Sequence, residues 1–423
     1  MVPYRVVQLR GRQGYRKLGV RPNWQWLRVV GISKSGAFGI DYQDMESLAV
    51  IEDLIGFETV SRDSNLPLID FVQNFLFDHG VDSRRVPSAD GRKSNLIASV
   101  GPEVAGGIVL SGHTDVVPVD GQDWSRDPFA FHRRGERWYG RGSCDMKGFI
   151  GIALSLVPTM QALRKPIHFA LSYDEEVGCL GAPDMIEVIR NELPEPAGVI
   201  VGEPTSMAAV TAHKGIVGLR TTVRGYEAHS SQTHRGVSAV MTAARLVSHL
   251  ERVAEDLATA TPSDNGFEPH ATSVHVGVIH GGTALNIISG QCEFTWDIRN
   301  IPGDDPQVLV DNFEAFCRRE VLPQMRARHD ACSIDTKVLA RCPAFDDSES
   351  SILGLVQALS GRTETHKVAY GTEAGQYQGA GFPTVLCGPG SIDQAHQPDE
   401  FIEVSEVQAG ERFLKTLVKE LSA

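Results

Sequence analysis

Leu110-Ser111-Gly112-His113-Thr114-Asp115 is the stretch from which the architecture of the chain follows. It continues an apolar run from Ile108, and such a run indicates a short buried strand. Side chains two residues apart on a strand point to the same face. The imidazole of His113 can therefore bind a metal while Asp115 accepts the other ring N–H. A polar strand end without a metal has the same pattern, so this motif alone is weak.

Composition narrows the class of protein. The chain has 423 residues, 42% of them hydrophobic, and a net charge of −13. Its length favours two domains. The acidic balance argues against a nucleic-acid partner, and no apolar run reaches the roughly 18–20 residues of a membrane span. Seven cysteines without a Cys-x-x-Cys pair indicate reduced thiols, so we expect a soluble cytoplasmic protein.

The start of the chain differs from the rest. Residues 1–44 carry eight Lys and Arg against two Asp and lack the apolar core of a signal peptide. An Arg-rich, acid-poor start is also a feature of transit peptides. We favour a basic, poorly ordered extension, or a functional start at Met45.

Strands alternate with helices up to Glu203, which predicts an α/β fold with a mixed, largely parallel sheet flanked by helices. Between about residues 214 and 330 the pattern changes to β-rich segments and two helices, typical of an inserted α+β domain. The first domain then covers residues 45–213 and 331–423. The predicted helices cover residues 45–57, 66–79, 145–163, 182–191, 237–257, 306–326 and 351–360, with a last one from 405. The predicted strands of the first domain cover residues 95–100, 108–111, 167–172, 198–201 and 384–387.

Further acids and one histidine stand at predicted strand ends, helix starts and loops. The acidic run 174–176 follows a buried strand, where like charges repel unless cations hold them. A solvated acidic turn has the same sequence. Asp145 stands at a predicted helix start, which also suits an ordinary N-cap. Glu203 follows another strand, and His396 lies in a loop.

Together these residues offer two histidines and three carboxylates, one of them free to bridge. That is a ligand set for two divalent ions about 3.5–4 Å apart. Nitrogen and oxygen ligands suit Zn²⁺, with Co²⁺ or Mn²⁺ as alternatives. Glu175 and Glu176 are neighbours, so one can bind metal while the other serves as general base.

These motifs, in this order, resemble the metallopeptidase family of aminoacylase, carboxypeptidase G, succinyl-diaminopimelate desuccinylase and acetylornithine deacetylase, and the last branch most closely. The resemblance runs from about Met45 to the C-terminus. It rests on Ser111-Gly112-His113-Thr114-Asp115, Asp145-Met146-Lys147-Gly148, Glu175-Glu176, Gly202-Glu203-Pro204-Thr205, Gly281-Gly282-Thr283-Ala284-Leu285-Asn286, Gly371-Thr372-Glu373-Ala374 and Ala395-His396-Gln397-Pro398-Asp399-Glu400.

The resemblance implies roles for the candidate site. Asp145 would bridge the ions, Asp115 would orient His113, and Glu175 would transfer the proton. A cis peptide bond is implied at Asp145–Met146. The implied ligands of the two divalent ions, Zn²⁺ or alternatively Co²⁺, are His113, Asp145, Glu176, Glu203 and His396.

The resemblance also makes the inserted domain a lid that joins two subunits in a homodimer. His229 would stabilise the oxyanion from the partner subunit, while Arg299 and Asn286 would hold the substrate. Glu373 would bind a substrate ammonium. Other roles remain open: Arg299 can pair with Asp297, His229 can be a surface turn residue, and Glu373 can be structural.

The expected activity is hydrolysis of an N-acyl amino acid, with N2-acetyl-L-ornithine giving L-ornithine and acetate for arginine biosynthesis. The alternatives are a related aminoacylase, desuccinylase or dipeptidase, and a non-catalytic binding protein on the same fold. No Gly-x-Gly-x-x-Gly follows a strand, and no Gly-x-x-x-x-Gly-Lys-Ser/Thr or Gly-x-Ser-x-Gly is present. A nucleotide-binding protein and a serine hydrolase are therefore disfavoured.

Overall fold

The computed structural model describes Met45 and residues 47–423, and the prediction for residues 1–44 lies outside the described residues. The helices, numbered along the chain, are α1 (Leu48–Ile55), α2 (Leu66–Asp78), α3 (Lys147–Ser155), α4 (Ala182–Glu192), α5 (Ala239–Ala260), α6 (Pro306–Phe316), α7 (Leu322–Arg326), α8 (Leu353–Ser360), α9 (Ala374–Gly379) and α10 (Val404–Ser422). The strands are β1 (Ser83–Pro87), β2 (Ser94–Val100), β3 (Ile108–His113), β4 (His132–Arg134), β5 (Arg137–Tyr139), β6 (Ile167–Ser172), β7 (Gly198–Val201), β8 (Ala209–His213), β9 (Ile216–Arg224), β10 (Ser273–Gly281), β11 (Gln291–Arg299), β12 (Ser333–Cys342), β13 (Phe345–Asp346), β14 (Thr365–Val368), β15 (Thr384–Leu386) and β16 (Phe401–Glu403).

A nine-stranded mixed sheet carries the candidate site. Its strands lie in the order β1-β2-β6-β3-β7-β15-β8-β13, and β14 pairs with β8. The central strands β6, β3, β7 and β15 run parallel. The strands outside them pair antiparallel, except that β14 runs parallel to β8. The predicted α/β class with a mixed sheet, parallel at its centre, is confirmed.

The central strands are buried along their whole length. Every residue of β3, β6 and β7 is buried, as expected for parallel strands that helices cover on both faces. Val109, Ala170 and Val199 from these strands share one apolar core with Met185 and Ile189 of α4. This packing explains why the predicted strands have continuous apolar runs instead of alternation.

The parallel arrangement brings several chain segments to one edge. His113 at the end of β3 lies opposite Ser172 at the end of β6, and Ser111 lies opposite Val201 at the end of β7. Open α/β sheets bind ligands outside the carboxyl ends of their strands. The residues that follow β3, β6, β7 and β15 are therefore placed to form a site.

A second, four-stranded sheet has the order β10-β11-β9-β12. Its core packs Phe294 and Trp296 of β11 against Leu246 of α5 and Phe313 of α6. The strand β12 belongs to this sheet although it lies beyond residue 330. The limits of the inserted domain stay a prediction.

Two predicted helices are interrupted, and a proline explains each case. The run predicted over 145–163 is α3 followed by a 3₁₀ helix, Val157–Ala162, because Pro158 has no N–H for the next helical bond. The run predicted over 306–326 changes to π-helical geometry at Cys317–Val321, just before Pro323. No helix of the described residues has the length and apolar character needed to cross a membrane.

The Gly202→Ala substitution is expected to lower the free energy of unfolding by about 1–3 kcal/mol, the usual cost of overpacking. Gly202 follows β7, and a Cβ atom there would lie 2.1 Å from the buried ring of Phe149 in α3. Urea denaturation of the purified variant measures the change.

Gly354→Ala is the matched control, because a Cβ at this position in α8 meets no heavy atom within 4 Å. We expect it to raise the free energy of unfolding by about 0.5–1 kcal/mol, since alanine favours helix more than glycine does. Equal stability of the two variants would contradict the close approach at Gly202.

Candidate metal centre

The structure brings together the five side chains that were predicted to bind metal. They form two groups, in each of which the candidate ligand atoms lie within 4.8 Å of one another. Both groups include Asp145, as expected of a bridging carboxylate. The first group is His113, Asp145 and Glu203, and the second is Asp145, Glu176 and His396.

The first group is closed to solvent. His113 Nε2 lies 2.8 Å from Asp145 Oδ1 and 4.0 Å from Glu203 Oε1. All three residues are buried. Two of them come from the same edge of the large sheet, since His113 ends β3 and Glu203 follows β7, and Asp145 lies just before α3.

The second group opens towards solvent through one residue. His396 Nε2 lies 3.0 Å from Glu176 Oε2 and 3.4 Å from Asp145 Oδ2. The side chain of His396 is 49% exposed, whereas those of Asp145 and Glu176 are 6% and 7% exposed. The second group is therefore the more accessible of the two.

The backbone around these ligands is unusual. The Asp145–Met146 peptide bond is cis, as the resemblance implies. His396 has a φ of 60°, in the left-handed region that few residues other than glycine adopt. A positive φ at a residue other than glycine persists where the surrounding structure holds it, as the contacts of the His396 loop do here.

Asp115 uses its backbone oxygen and its carboxylate for different partners. Its backbone oxygen lies 2.8 Å from His113 Nδ1, whereas its carboxylate Oδ1 is 3.8 Å away. The orientation of His113 thus depends on the carbonyl of Asp115, in contrast to the expected carboxylate. The carboxylate instead accepts hydrogen bonds from the backbone N–H groups of Glu175 at 3.1 Å and Glu176 at 3.3 Å, and from Ser61 Oγ at 2.6 Å. Asp115 therefore fixes the turn that carries both glutamates.

The Asp115→Asn substitution should lower kcat by about 10–100-fold, the usual effect of losing a partner that orients metal ligands. The amide cannot accept hydrogen bonds from both N–H groups of the 175–176 turn. The backbone contact to His113 remains, so the His113 group should keep its ion. Steady-state kinetics and metal analysis check this, and unchanged kcat would contradict the role of the carboxylate.

Glu175 lies beside the ligands without belonging to either group. It is buried, and burial together with the nearby Glu176 and Asp145 charges raises its pKa to about 8, although protonated His113 opposes this shift. Its Oε1 lies 3.2 Å from Cys179 Sγ. A carboxylate with a raised pKa beside a metal site is suited to accept and return a proton.

The electrostatics of the cluster favour cations. Burial and the charge of Asp145 raise the pKa of Glu203 well above its usual range. Although burial opposes it, hydrogen bonds from His113 and His396 hold the pKa of Asp145 well below its usual range. The hydrogen bond to Asp145 raises the pKa of His396 to about 10. The carboxylates of the cluster thus stabilise positive charge in the site.

Two buried carboxylate oxygens have no hydrogen-bond partner within the described part of the chain, as expected of oxygens that bind metal ions. Glu176 Oε1 and Glu203 Oε1 are buried and accept no hydrogen bond from the described residues. An unsatisfied buried carboxylate oxygen is costly unless a cation or a donor meets it. Carboxylate oxygens and imidazole nitrogens are donors that Zn²⁺, Co²⁺ and Mn²⁺ accept. The arrangement therefore suits two divalent ions with Asp145 between them.

The predicted residues of the inserted domain lie apart from this cluster. His229 is exposed, and its Nδ1 lies 2.8 Å from Ser231 Oγ. No hydrogen bond among the described residues joins His229 to the candidate ligands. Asn286 is exposed, and Arg299 Nε donates to Asp297 Oδ2 at 2.7 Å. The ion pair considered above for Arg299 is thus present.

Glu373 is 1% exposed directly before α9, where it accepts a hydrogen bond from Ser111 Oγ in β3. Ser111 Oγ also lies 2.8 Å from the hydroxyl of Tyr377. The hydrogen bond to Ser111 supports the structural alternative for Glu373, and its contact with a substrate ammonium stays a prediction.

Sequence reasoning missed two residues next to the ligands. Arg141 and Glu400 form a buried ion pair, and the Glu400 carboxylate accepts a hydrogen bond from the backbone N–H of Asp145. The available signal was that each lies within four residues of a candidate ligand, Asp145 or His396.

Comparisons with known proteins identify the family to which this chain is similar. A family model described as Peptidase family M20/M25/M40 matches residues 109–420. An acetylornithine deacetylase of Myxococcus xanthus is 36% identical over 383 residues, which cover 88% of this chain and 96% of that protein. An acetylornithine deacetylase of Pectobacterium atrosepticum is 33% identical over 360 residues, which cover 84% of this chain and 91% of that protein.

Solved structures share the fold. A metallo-carboxypeptidase of family M20 from Sulfolobus solfataricus has a TM-score of 0.70 at 16% identity and covers 89% of this chain and 99% of its own. A dinuclear metal binding peptidase of the same family from Bacillus subtilis has a TM-score of 0.60 at 14% identity and covers 88% of this chain and 96% of its own.

Proposed function

The chain belongs to peptidase family M20/M25/M40, and from this premise we propose that it hydrolyses N2-acetyl-L-ornithine to L-ornithine and acetate. It is a metal-dependent enzyme that hydrolyses the amide bond of N-acyl amino acids. The observation that carries the proposal is the convergence of five metal-ligand side chains beside Glu175, in a chain 33–36% identical to acetylornithine deacetylases.

His113, Asp145, Glu176, Glu203 and His396 would hold the two ions. Zn²⁺ is the proposed metal, because two imidazoles and three carboxylates match its preferred donors. When bound, two such ions polarise an amide carbonyl and lower the pKa of water towards about 7.

Glu175 then accepts the proton of the attacking water and returns it to the leaving amine of ornithine. Two features support this role. Its backbone N–H is held by Asp115, and its carboxylate lies in a buried place where the pKa is raised to about 8. A general base or acid in such a position contributes about 10²–10⁴-fold to the rate.

The inserted domain would supply the remaining contacts. We propose that His229 of a second copy of this chain stabilises the oxyanion, a contact worth roughly 3–4 kcal/mol in other hydrolases. Arg299 would bind the substrate carboxylate with its planar guanidinium. The exposure of His229 on its own chain supports a role in a second subunit.

A homodimer follows from this assignment. Leu285 is fully exposed and Met241 is 76% exposed, and both line a cavity of about 650 Å³ near His229. Exposed apolar patches of this kind often mark contacts between proteins. Light scattering of the purified protein measures the number of subunits.

The proposed reaction belongs to arginine biosynthesis, and the cytoplasm is the proposed location. Seven cysteines remain free thiols in the described residues, which suits a reducing compartment.

A panel of three substrates tests the proposal. We expect kcat/KM for N2-acetyl-L-ornithine to exceed those for N-acetyl-L-methionine and N-succinyl-L,L-diaminopimelate by at least about tenfold, since recognition of a polar side chain rejects analogues that leave buried polar groups unpaired. The Glu175→Gln variant, prepared in parallel, controls for contaminating hydrolases. A preference for either of the other substrates would replace acetylornithine as the assigned substrate.

A further inference from the structure

One buried network connects the loop of Asp145 to the loop of His396. Its centre is the ion pair between Arg141 Nη1 and Glu400 Oε2, 2.7 Å apart, in which each side chain is 1% exposed. Arg141 lies four residues before Asp145, and Glu400 lies four residues after His396. The two ends of the pair thus belong to two of the three segments that supply the second ligand group.

The carboxylate of Glu400 holds the backbone that leads into Asp145. Its Oε1 accepts hydrogen bonds from the N–H groups of Cys144 at 2.9 Å and Asp145 at 3.1 Å. Its Oε2 accepts a third from the N–H of Gly142 at 3.0 Å. Three backbone donors and one guanidinium therefore fix this carboxylate. The carboxylate in turn fixes the backbone position from which the Asp145 side chain extends.

Arg141 holds the other loop. Its Nη1 donates to the backbone oxygen of Gln397 at 3.3 Å, and its Nη2 donates to Oε1 of Gln122. Gln122 Nε2 in turn donates to the backbone oxygen of His396 at 2.9 Å. The network is therefore continuous from the N–H of Asp145 to the carbonyl of His396.

The segments do not need this ion pair merely to stay together. The strands β5 and β16 already pair, with Tyr139 opposite Phe401 and Arg137 opposite Glu403. Burying two charges carries a desolvation penalty that offsets their attraction, so apolar residues could join the segments with comparable stability. The charged pair adds directed hydrogen bonds to the loop of Asp145 and to the loop of His396, which we call the two ligand loops.

We propose that Arg141, Glu400 and Gln122 are positioning residues that set the separation of Asp145 and His396, and thereby the affinity of the second ligand group for its metal ion. This inference rests on the proposed function, because it assumes that both groups bind ions. It assigns to these three residues no contact with substrate.

Titration of the metal-free protein with Co²⁺ alone tests the inference. Glu400→Gln keeps the size of the side chain but places an NH₂ group among N–H donors. We expect one of the two ions to bind about 10–100-fold more weakly. This is the usual effect of losing a residue that hydrogen-bonds to a metal ligand and orients it. The other ion shares Asp145 but not His396, so its affinity should fall by a smaller factor.

Glu403→Gln is the matched control. Glu403 pairs with Arg137 at 2.9 Å across the same two strands, but the pair is exposed and makes no hydrogen bond to either ligand loop among the described residues. We expect both Co²⁺ affinities of this variant to stay within about twofold of the parent. A loss equal to that of Glu400→Gln would show a general effect of the strand pair and would overturn the inference.

Gln122→Ala keeps the test decisive if Glu400→Gln does not fold, because Gln122 is only half-buried. We expect about a tenfold loss of affinity for one ion. The visible absorption spectrum of bound Co²⁺ should also change for that ion, which a purely structural role would not cause. An unchanged isotherm and spectrum in either variant overturn the positioning role.

The outcomes separate this inference from the proposed function. A parent protein that binds fewer than two ions per chain contradicts the dinuclear centre and the inference together. A parent that binds two ions, with a folded Glu400→Gln variant of equal affinity, overturns the inference alone. A substrate other than acetylornithine leaves the metal titration unaffected.

Discussion

Replacing Glu175 with glutamine is expected to lower kcat by about 10²–10⁴-fold while KM and the metal content stay close to those of the parent. The amide has the shape of the carboxylate but cannot accept a proton. The turn should keep its position, because the carboxylate of Asp115 holds it through the backbone N–H groups of Glu175 and Glu176. Stopped-flow or steady-state assays with acetylornithine give kcat and KM, and metal analysis gives the stoichiometry.

Glu187→Gln is the control for this substitution. Glu187 is exposed on α4, so the same chemical change there should leave kcat unaltered. A Glu175→Gln variant with near-normal kcat excludes Glu175 as the base. A variant that instead loses metal shows that Glu175 supports the ligands and does not transfer the proton.

The Asp145→Asn substitution should remove most of the activity, with a loss of roughly 10³-fold or more, because several kcal/mol of transition-state stabilisation depend on the ions. Asp145 belongs to both ligand groups, so both ions should bind more weakly. His396→Ala removes a ligand from the second group alone and should reduce the metal content towards one ion per chain. Plasma emission spectroscopy after dialysis measures both results.

An exposed aspartate provides the control. Asp256→Asn on α5 should leave the metal content and kcat unchanged. Removing metal from the parent with a chelator should abolish activity, and added Zn²⁺ or Co²⁺ should restore it. An Asp145→Asn protein that retains two ions would contradict the bridging role.

Much of the centre could be predicted because its residues follow strands. His113, Glu176 and Glu203 come at or just after the ends of three adjacent parallel strands, and parallel strands bring their carboxyl ends to one edge. The order of the motifs pointed to the same family as the comparisons do. The apolar runs that mark β3, β6 and β7 gave correct strands because those strands are covered on both faces.

Other features depend on contacts that sequence spacing does not encode. The choice between the carbonyl and the carboxylate of Asp115 as the partner of His113 is decided by the position of the 175–176 turn, which competes for that carboxylate. The partners Arg141 and Glu400 are 259 residues apart in the chain. Glu373 has the charge expected of a substrate contact, and only the packed sheet shows that it points at Ser111.

The two ligand groups share one carboxylate, and this has a thermodynamic consequence. One oxygen of Asp145 faces His113 and the other faces His396, so an ion in either group orients the side chain for its neighbour. Occupancy at the two positions cannot then be independent, and by linkage each ion must alter the affinity of the other by the same factor. The affinities of the two ions should accordingly be coupled, and the binding curve should depart from that of two isolated sites.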